Sequence, residues 1–324
     1  MSLFYDAKKF LVSKTCSDNI YIDSGRAKTF NNMFGQETLP LVKHFKSEEK
    51  FLLCPTAWLD KKRTAFYLNA IEKPMYHGFV WPIDMVNADG LIFKQKIGNE
   101  STYHSLWSYT KDNFVGFEDK RVKTIIFNFL SNLQNFFDNG YVYRYWDERN
   151  IYFGDRSNEV IFQFNNHISR KNNTITLSKR DYYTELTDPY MYYHEGSYDF
   201  YSDVYSFQSL LFKLLIGIYP FEGEGMTGYE RNGTQTELDG WIMEYLRNVY
   251  FIFDDESSRN HIGIMGVDVP RVKRWESLTP NLRRMFNDVF SRSNVLRENN
   301  DIIFYTPLQW IQELQKFDFE LKKS

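Results

Sequence analysis

The stretch from Phe207 to Phe221 constrains the fold most, because it is the longest apolar run in the chain. Gln208, Ser209, Lys213 and Pro220 interrupt it, so it falls short of the roughly 20 apolar residues that a membrane-spanning helix needs. It therefore predicts a helix buried in the core of a globular protein. The first residues also lack the basic start and apolar run of a secretory signal, so we expect no membrane association.

Composition excludes some classes of function. The chain has 324 residues, of which 43% are hydrophobic, enough to bury a substantial core. Its net charge of −3 indicates no general attraction to nucleic acid or anionic lipid, and we expect no nucleic-acid partner. Two cysteines, Cys16 and Cys54, are too few for a disulfide framework and have no metal-type spacing, which favours a reducing cytoplasm.

Local patterns predict an α+β chain. Residues 20–97 contain short alternating runs typical of strands, such as 39–43 and 90–94, and one helical stretch at 58–71. From residue 103 onward helical periods dominate. Residues 122–133 place apolar side chains at steps of three and four, and this helix should end before Asn139 and Gly140. A small sheet with one helix should therefore precede a mostly helical part.

Two segments resemble the catalytic lobe of a protein kinase. Residues 141–153 read Y-V-Y-R-Y-W-D-E-R-N-I-Y-F and are similar to the catalytic loop H-R-D-x-x-x-x-N with its following strand. Residues 203–221 read D-V-Y-S-F-Q-S-L-L-F-K-L-L-I-G-I-Y-P-F and resemble the buried helix that anchors the large lobe of a kinase. The catalytic aspartate is absent from the first segment, so the resemblance is to a degenerate kinase, a pseudokinase.

Two further segments extend this resemblance over residues 79–315. Residues 79–86 and 89–93 look like the strands before a kinase hinge. They also resemble a bacterial kinase-like family associated with tellurite-resistance and phosphatase-linked signalling systems, and residues 275–282 and 305–310 are similar to its closing helices. The resemblance implies a bilobal kinase-like fold with a sheet-rich N-lobe at 1–97 and a helical C-lobe at 98–324. An unrelated α+β protein with chance matches is the alternative.

The register of the loop places unsuitable residues where a kinase needs chemistry. With Asn150 as the metal-binding asparagine, the catalytic base falls on Tyr145, a phenol that stays protonated at neutral pH. The lysine that contacts the transferring phosphate is replaced by Asp147, a charge reversal that opposes phosphoryl transfer. Asp147 is either a displaced base or a solvated side chain that pairs with Arg149 or Lys120.

The metal site of a kinase is also changed. The aspartate of the D-F-G motif falls on Gln163, within Q-F-N at the end of a predicted strand. A neutral amide cannot neutralise Mg²⁺, whose sites rely on carboxylates and substrate phosphates. Asn150 is the remaining candidate ligand, so we expect no metal site and no catalytic residue.

The small lobe carries weaker signals. Lys43 is the best stand-in for the lysine of V-A-I-K, although a strand lysine that is simply exposed fits equally well. Gly25 is the one glycine of a degraded phosphate-covering loop at 24–30. The helix that should provide a glutamate partner for the lysine, at 61–71, contains no Glu, so we expect no such ion pair.

Structural residues of the kinase motif are partly retained. Asp203 matches the helix aspartate that holds the backbone of the catalytic loop, and Arg144 matches the arginine that steadies the activation segment. Tyr190 stands where the A-P-E motif has its glutamate, and Thr306 stands where its arginine partner belongs. Both ends of this partly buried ion pair are expected to be lost together, since one buried charge alone is costly.

These observations predict a cytoplasmic pseudokinase that regulates or scaffolds protein partners. Its vestigial cleft would bind ATP weakly and without metal, through the hinge at 94–97 and through Lys43, Asn150 and Gln163. The alternative is a divergent active phosphotransferase or nucleotidyltransferase that uses the same cleft. A third hypothesis is an interaction module that binds no nucleotide and presents the aromatic segment 182–193 to a partner.

Overall fold

The computed structural model describes most of the chain, including the motif segments. The described residues are 10–12, 20–32, 35–44, 46–47, 50–55, 78–86, 90–94, 103–107, 119–144, 146–163, 168–172, 175–176, 184–194, 196–226, 235–254, 260–262, 269–298 and 301–319. Tyr145, the helix predicted at 58–71 and the predicted boundary at residue 97 lie outside them. The division into lobes at that residue therefore stays a prediction.

The N-terminal part is an antiparallel sheet. Its six strands lie in the order β1-β2-β3-β4-β6-β5. They are β1 (Phe10–Val12), β2 (Ile20–Asn32), β3 (Gly35–His44), β4 (Lys50–Pro55), β5 (Pro82–Val86) and β6 (Gly90–Lys94). Val42 pairs with Phe51 and Leu53 with Ile92, and these apolar side chains share one buried cluster with Val86. These described side chains of β3, β4, β5 and β6 thus form an apolar face on this part of the sheet.

The C-terminal part is mostly helical. Its helices are α1 (Asp119–Asp138), α2 (Pro189–Tyr193), α3 (Phe200–Ile216), α4 (Gln235–Arg247), α5 (Val269–Ser277), α6 (Pro280–Phe290), α7 (Arg292–Val295) and α8 (Pro307–Leu314). Helix α1 contains the predicted run 122–133 and ends directly before Asn139 and Gly140. Within the described part of the chain, no helix is long and apolar enough to cross a membrane.

Helix α3 is the buried helix that the apolar run predicted. Every residue from 202 to 216 is buried, because the helix is apolar on all sides and packs within the helical part. It begins three residues before Asp203, since Asp199 caps its N-terminus through a capping box with Ser202. It ends at Gly217, whose φ of 90° suits a glycine C-cap.

Short strands frame the loop that resembles the kinase catalytic loop. Strands β7 (Tyr103–Ser105), β9 (Ile151–Gly154) and β10 (Val160–Phe162) form one antiparallel sheet in the order β10-β9-β7. Two antiparallel pairs complete the framework. They are β8 (Tyr141–Val142) with β11 (Ser169–Arg170), and β12 (Ile175–Thr176) with β13 (Ser197–Tyr198). The loop thus runs between two anchored strands, β8 and β9.

The segment before β5 joins the small sheet to the helical part. Val80 N donates to Phe162 O at 3.0 Å, and Phe162 N donates to Gly78 O at 2.7 Å. The Phe79 ring stacks on the rings of Phe136 and Phe162, with centroids 4.0 and 4.4 Å apart. Backbone hydrogen bonds and stacked rings therefore hold this segment against α1 and β10.

Gly78 should be intolerant of a side chain. Its φ is +82°, and an added Cβ would lie 2.0 Å from Nδ2 of Asn132, whose amide donates to Val160 O at 2.8 Å. We expect Gly78→Ala to lower the free energy of unfolding by at least about 2 kcal/mol, from backbone strain plus this clash.

Gly140→Ala is the matched control, measured alongside by urea denaturation. Its φ is +79°, but the nearest atom to an added Cβ is 3.8 Å away. We therefore expect a loss of about 1 kcal/mol, from the backbone term alone. Equal losses at both positions would contradict the close packing at Gly78.

Candidate functional site

The structure brings Asn150 and Gln163 together at the end of the loop. The loop closes in a 3₁₀ turn, Glu148–Asn150, that leads into β9. Gln163 N donates to Asn150 O at 2.8 Å, next to the paired residues Ile151 and Phe162. Both side chains are buried. The two segments predicted to face one cleft are thus hydrogen-bonded neighbours.

Asp203, on helix α3, fixes the conformation of the loop. Its Oδ1 accepts hydrogen bonds from Arg144 N at 2.8 Å and from Trp146 Nε1 at 2.6 Å. Arg144 has a φ of 56°, a left-handed conformation that costs a non-glycine residue about 1–2 kcal/mol. The carboxylate offsets that strain by satisfying the backbone amide of the strained residue.

Burial dominates the titration of Asp203. The carboxyl is fully buried, and no described residue hydrogen-bonds its Oδ2. Burial raises the pKa of Asp203 from near 3.8 to about 6, against the opposing effects of the Arg144 charge and the Trp146 hydrogen bond. The fold therefore favours the protonated form of this acid.

Arg144 ties the loop to the chain that follows Gln163. Its guanidinium is buried, with Nε donating to Ser169 Oγ at 2.6 Å and Nη1 donating to Tyr198 O at 3.0 Å. The same group lies 5.3 Å from the centroid of the Tyr198 ring. These contacts reach β11 and β13, so one side chain connects three segments of the helical part.

Asp147 is buried, not solvated. Its side chain is 5% exposed and receives both Nε and Nη2 of Arg149, at 2.9 and 2.7 Å. Arg149 N also donates to it at 2.8 Å. Burial raises the pKa of Asp147, while Arg149 opposes the shift. Both of its oxygens therefore accept from Arg149, and use as a base or metal ligand would leave this buried carboxylate without its ion pair.

Glu148 forms a buried ion pair with Lys213 of helix α3. Lys213 Nζ, on α3, donates to its two carboxylate oxygens at 2.7 and 2.9 Å, and both side chains are almost inaccessible. The Tyr219 hydroxyl also donates to Glu148, and the Lys213 ammonium lies 4.0 Å from the centroid of the Tyr219 ring. No local sequence pattern indicates this cluster, because Lys213 and Tyr219 follow Glu148 by 65 and 71 positions in the chain.

The segment before α2 is docked on the loop and on α3. Thr184 Oγ1 donates to Trp146 O at 3.0 Å, and Ser206 Oγ donates to Leu186 O at 2.6 Å. Ser202 Oγ donates to Asp188 Oδ2 at 2.9 Å. Hydrogen bonds from buried hydroxyls thus hold the segment 184–188 in place.

A different ion pair lies beside Tyr190, while Tyr190 and Thr306, the positions of the expected pair, carry no charge. Arg297 pairs with Asp188 and with Asp199, each at 2.7 Å, and its guanidinium lies 3.9 Å from the centroid of the Tyr190 ring. Thr306 instead caps α8 and accepts from Gln309 N. The structure thus keeps a partly buried ion pair here but builds it from other residues, with the tyrosine as a stacking surface.

The small sheet comes close to the loop. Lys43 lies in β3, where it pairs with Ile22 and Lys50, and the structure describes its backbone only. Strand β2 has a register shift between Asp23 and Arg26, and it comes within 8 Å, Cα to Cα, of the 3₁₀ turn.

The residues present do not fit a magnesium nucleotide. Among the described residues, no three His, Cys, Asp or Glu side chains cluster as a metal site. Asn150 and Gln163 offer neutral amides, while both carboxylates of the loop are engaged by cations. Mg²⁺ sites depend on carboxylate charge, and this charge is neutralised here by protein groups.

Comparison with solved structures shows the fold. The chain is similar to the twitchin kinase region from C. elegans, with 14% identity, a TM-score of 0.56, and coverage of 89% of this chain and 45% of that one. It is also similar to the autoinhibited serine kinase domain of the giant muscle protein titin, with 11% identity, a TM-score of 0.56, and coverage of 93% and 83%. A second twitchin fragment from C. elegans, containing an autoregulated protein kinase and immunoglobulin domains, gives 16% identity, a TM-score of 0.55, and coverage of 92% and 57%.

This chain thus spans less than half of the first of these structures. No protein-family model matches the sequence, and no curated protein is found as a relative. The fold is the α+β bilobal protein kinase-like fold that the four motifs predicted.

Asp203 should make stability depend on pH. Since its folded pKa of about 6 exceeds its ordinary value of 3.8, the folded state gains a proton first as pH falls. The contribution of this group to the free energy of unfolding should therefore rise by about 2 kcal/mol between pH 7 and pH 4.5. Asp203→Asn removes this titration but keeps the acceptor oxygen. The stability difference, wild type minus variant, should grow as pH falls, and a constant difference in urea titrations would refute the assignment.

The buried Glu148–Lys213 pair should be sensitive to loss of one partner. Lys213→Met leaves Glu148 charged and buried, and should lower the free energy of unfolding by about 3–5 kcal/mol. The double variant Lys213→Met/Glu148→Gln should recover part of this loss, because no buried charge remains.

Lys316→Met is the control, since Lys316 also pairs with a glutamate at 2.7 Å but is 67% exposed. It should cost less than about 1 kcal/mol in the same urea titration. If Lys213→Met cost no more than this, the pair would not stabilise the loop.

Proposed function

We propose that this protein is a catalytically impaired, kinase-fold protein that regulates or scaffolds other proteins. The observation that carries the proposal is the ion pair in which Arg149 engages the buried carboxylate of Asp147. Asp147 is the carboxylate that a displaced-base mechanism would need, and it is already occupied. Fold likeness alone would not argue for or against activity, so the proposal rests on the site.

The other positions of the site support this proposal. Gln163 replaces the main metal ligand, and its neighbour Asn150 contributes only a neutral amide. Tyr145, at the position of the base, is a phenol with an ordinary pKa of about 10. With both loop carboxylates paired, the site offers no free base for the proton of a substrate hydroxyl and no free carboxylate to hold the metal ion that would neutralise a transferring phosphate.

We further propose that any nucleotide binds weakly and without metal. The neutral amides of Asn150 and Gln163 support this, because neither can neutralise a metal ion that accompanies the phosphates. A protein partner would then be the main ligand. On the cysteine content and the motif resemblance, we place this function in signalling in the cytoplasm of a bacterium.

Two measurements with ATP test the proposal. In a thermal-shift titration, a ligand with a Kd of about 0.1 mM at about 1 mM would stabilise the fold by about 1.4 kcal/mol. We expect a shift no larger than this, and the same shift with and without Mg²⁺ or Mn²⁺. Incubation with labelled ATP and generic protein substrates should give no transfer.

Turnover that Asp147→Asn abolishes would overturn this proposal. It would establish the alternative, a divergent phosphotransferase or nucleotidyltransferase that uses the same cleft. Lys316→Met, far from the loop in sequence and largely exposed, is the control for nonspecific loss of turnover. A large thermal shift that requires metal would also favour the enzyme.

A further inference from the structure

Three tyrosines and two arginines form one surface, which we call the Tyr–Arg surface. Its members are Tyr192, Tyr193, Arg247, Tyr250 and Arg292, which come from α2, the end of α4, the segment after α4, and the start of α7. Tyr193 is 45% exposed and is among the most exposed large apolar side chains of the described residues. An exposed aromatic group flanked by cations marks a site of interaction.

Direct contacts join Tyr192, Tyr193 and Arg247. Arg247 Nε donates to the Tyr192 hydroxyl at 2.6 Å, and its guanidinium lies 5.5 Å from the centroid of that ring. The Tyr193 hydroxyl donates to Arg247 O at 3.3 Å, and the two tyrosine rings meet edge to face at 5.2 Å. These three side chains are therefore held in one arrangement before any partner binds.

Arg292 adds a second cation to the surface. Its guanidinium lies 5.2 Å from the centroid of the Tyr250 ring. Burial raises the pKa of Tyr193, and the charges of Arg292 and Arg247 oppose that rise. The exposed phenol thus lies in the field of two arginines.

The exposed edges of these arginines suit carboxylates. Arg247 is 55% exposed, and its pair with Glu244 is long, at 3.7 Å, and partly solvated. A pair of this kind contributes little stability and exchanges readily. Arginine stacked on a tyrosine face is preorganised to offer two parallel N–H donors to a carboxylate, and Tyr and Arg are enriched at binding hot spots.

We propose that the Tyr–Arg surface binds an acidic segment of a partner protein, with Arg247 and Arg292 receiving its Asp or Glu side chains and Tyr193 packing against its backbone and apolar groups. This rests on the proposed function, in which the protein acts by binding. Local charge complementarity favours this occupant, since the surface presents two arginine cations and an acidic segment supplies the matching carboxylates. Electrostatic complementarity would speed encounter and make binding depend on salt.

Fluorescence anisotropy with defined peptides tests the proposal. The probes are a fluorescein-labelled oligoglutamate with one central tryptophan and the same peptide built on lysine. Wild-type protein should bind the acidic probe, with an affinity that falls as the salt concentration rises. It should not bind the lysine probe. Arg247→Gln/Arg292→Gln should weaken binding by about tenfold or more, as expected for loss of two charge-assisted contacts.

The control Lys273→Gln/Arg284→Gln removes the same charge from exposed positions on α5 and α6. It should change the dissociation constant by less than about twofold, since screened charges elsewhere contribute little. Arg292→Gln alone, at an exposed side chain, should reproduce part of the loss if the double variant unfolds. Equal weakening by the Arg pair and by the control pair would overturn the proposal.

Other outcomes also decide against it. Tighter binding of a matched phosphopeptide than of the acidic peptide would reassign the surface to phosphate recognition, and dimers abolished by Arg247→Gln/Arg292→Gln would assign it to self-association. None of these results depends on phosphoryl transfer. Failure here leaves the proposed loss of catalysis intact, while turnover of ATP would overturn that proposal whatever the peptides do.

Discussion

The buried carboxylate of Asp203 is the interaction on which the rest of the helical part depends. One oxygen holds both the strained backbone of Arg144 and the indole of Trp146, so the loop takes its shape from helix α3. That helix is buried along its whole length beyond the first turn, which makes it a fixed reference. An acid in such a place is costly, and the fold keeps it because the loop otherwise has no partner for its donors.

Ion pairs hold the loop and the segment docked on it, although the residues that form these pairs are not those of the kinase motif. Asp147 pairs with Arg149, and Glu148 pairs with Lys213. Arg297 pairs with Asp188 at the end of the docked segment. Each contact holds its segment in one arrangement, and a preorganised surface loses less entropy when it associates with a partner.

Local sequence patterns predicted the helices and strands, and the register of the motifs predicted which segments lie side by side. The apolar run at 207–221 indicated the buried helix, and the register implied by the kinase resemblance placed Gln163 beside Asn150, where the structure has them. The pairs Lys213–Glu148 and Arg297–Asp188 were not predictable, since 65 and 109 residues separate their members. Such pairs form only when packing brings distant charges into one desolvated place, and neither periodicity nor propensity records that event. The roles predicted for Lys43 and Tyr145 stay predictions.

Phe162 belongs to two parts of the molecule at once. Its backbone bonds to Gly78 and Val80 of the segment that leads into the small sheet, and its neighbour Gln163 bonds to the loop. Because Phe162 and Gln163 are consecutive, a substitution that displaces β10 would disturb the hydrogen bonds of both the segment before the sheet and the loop.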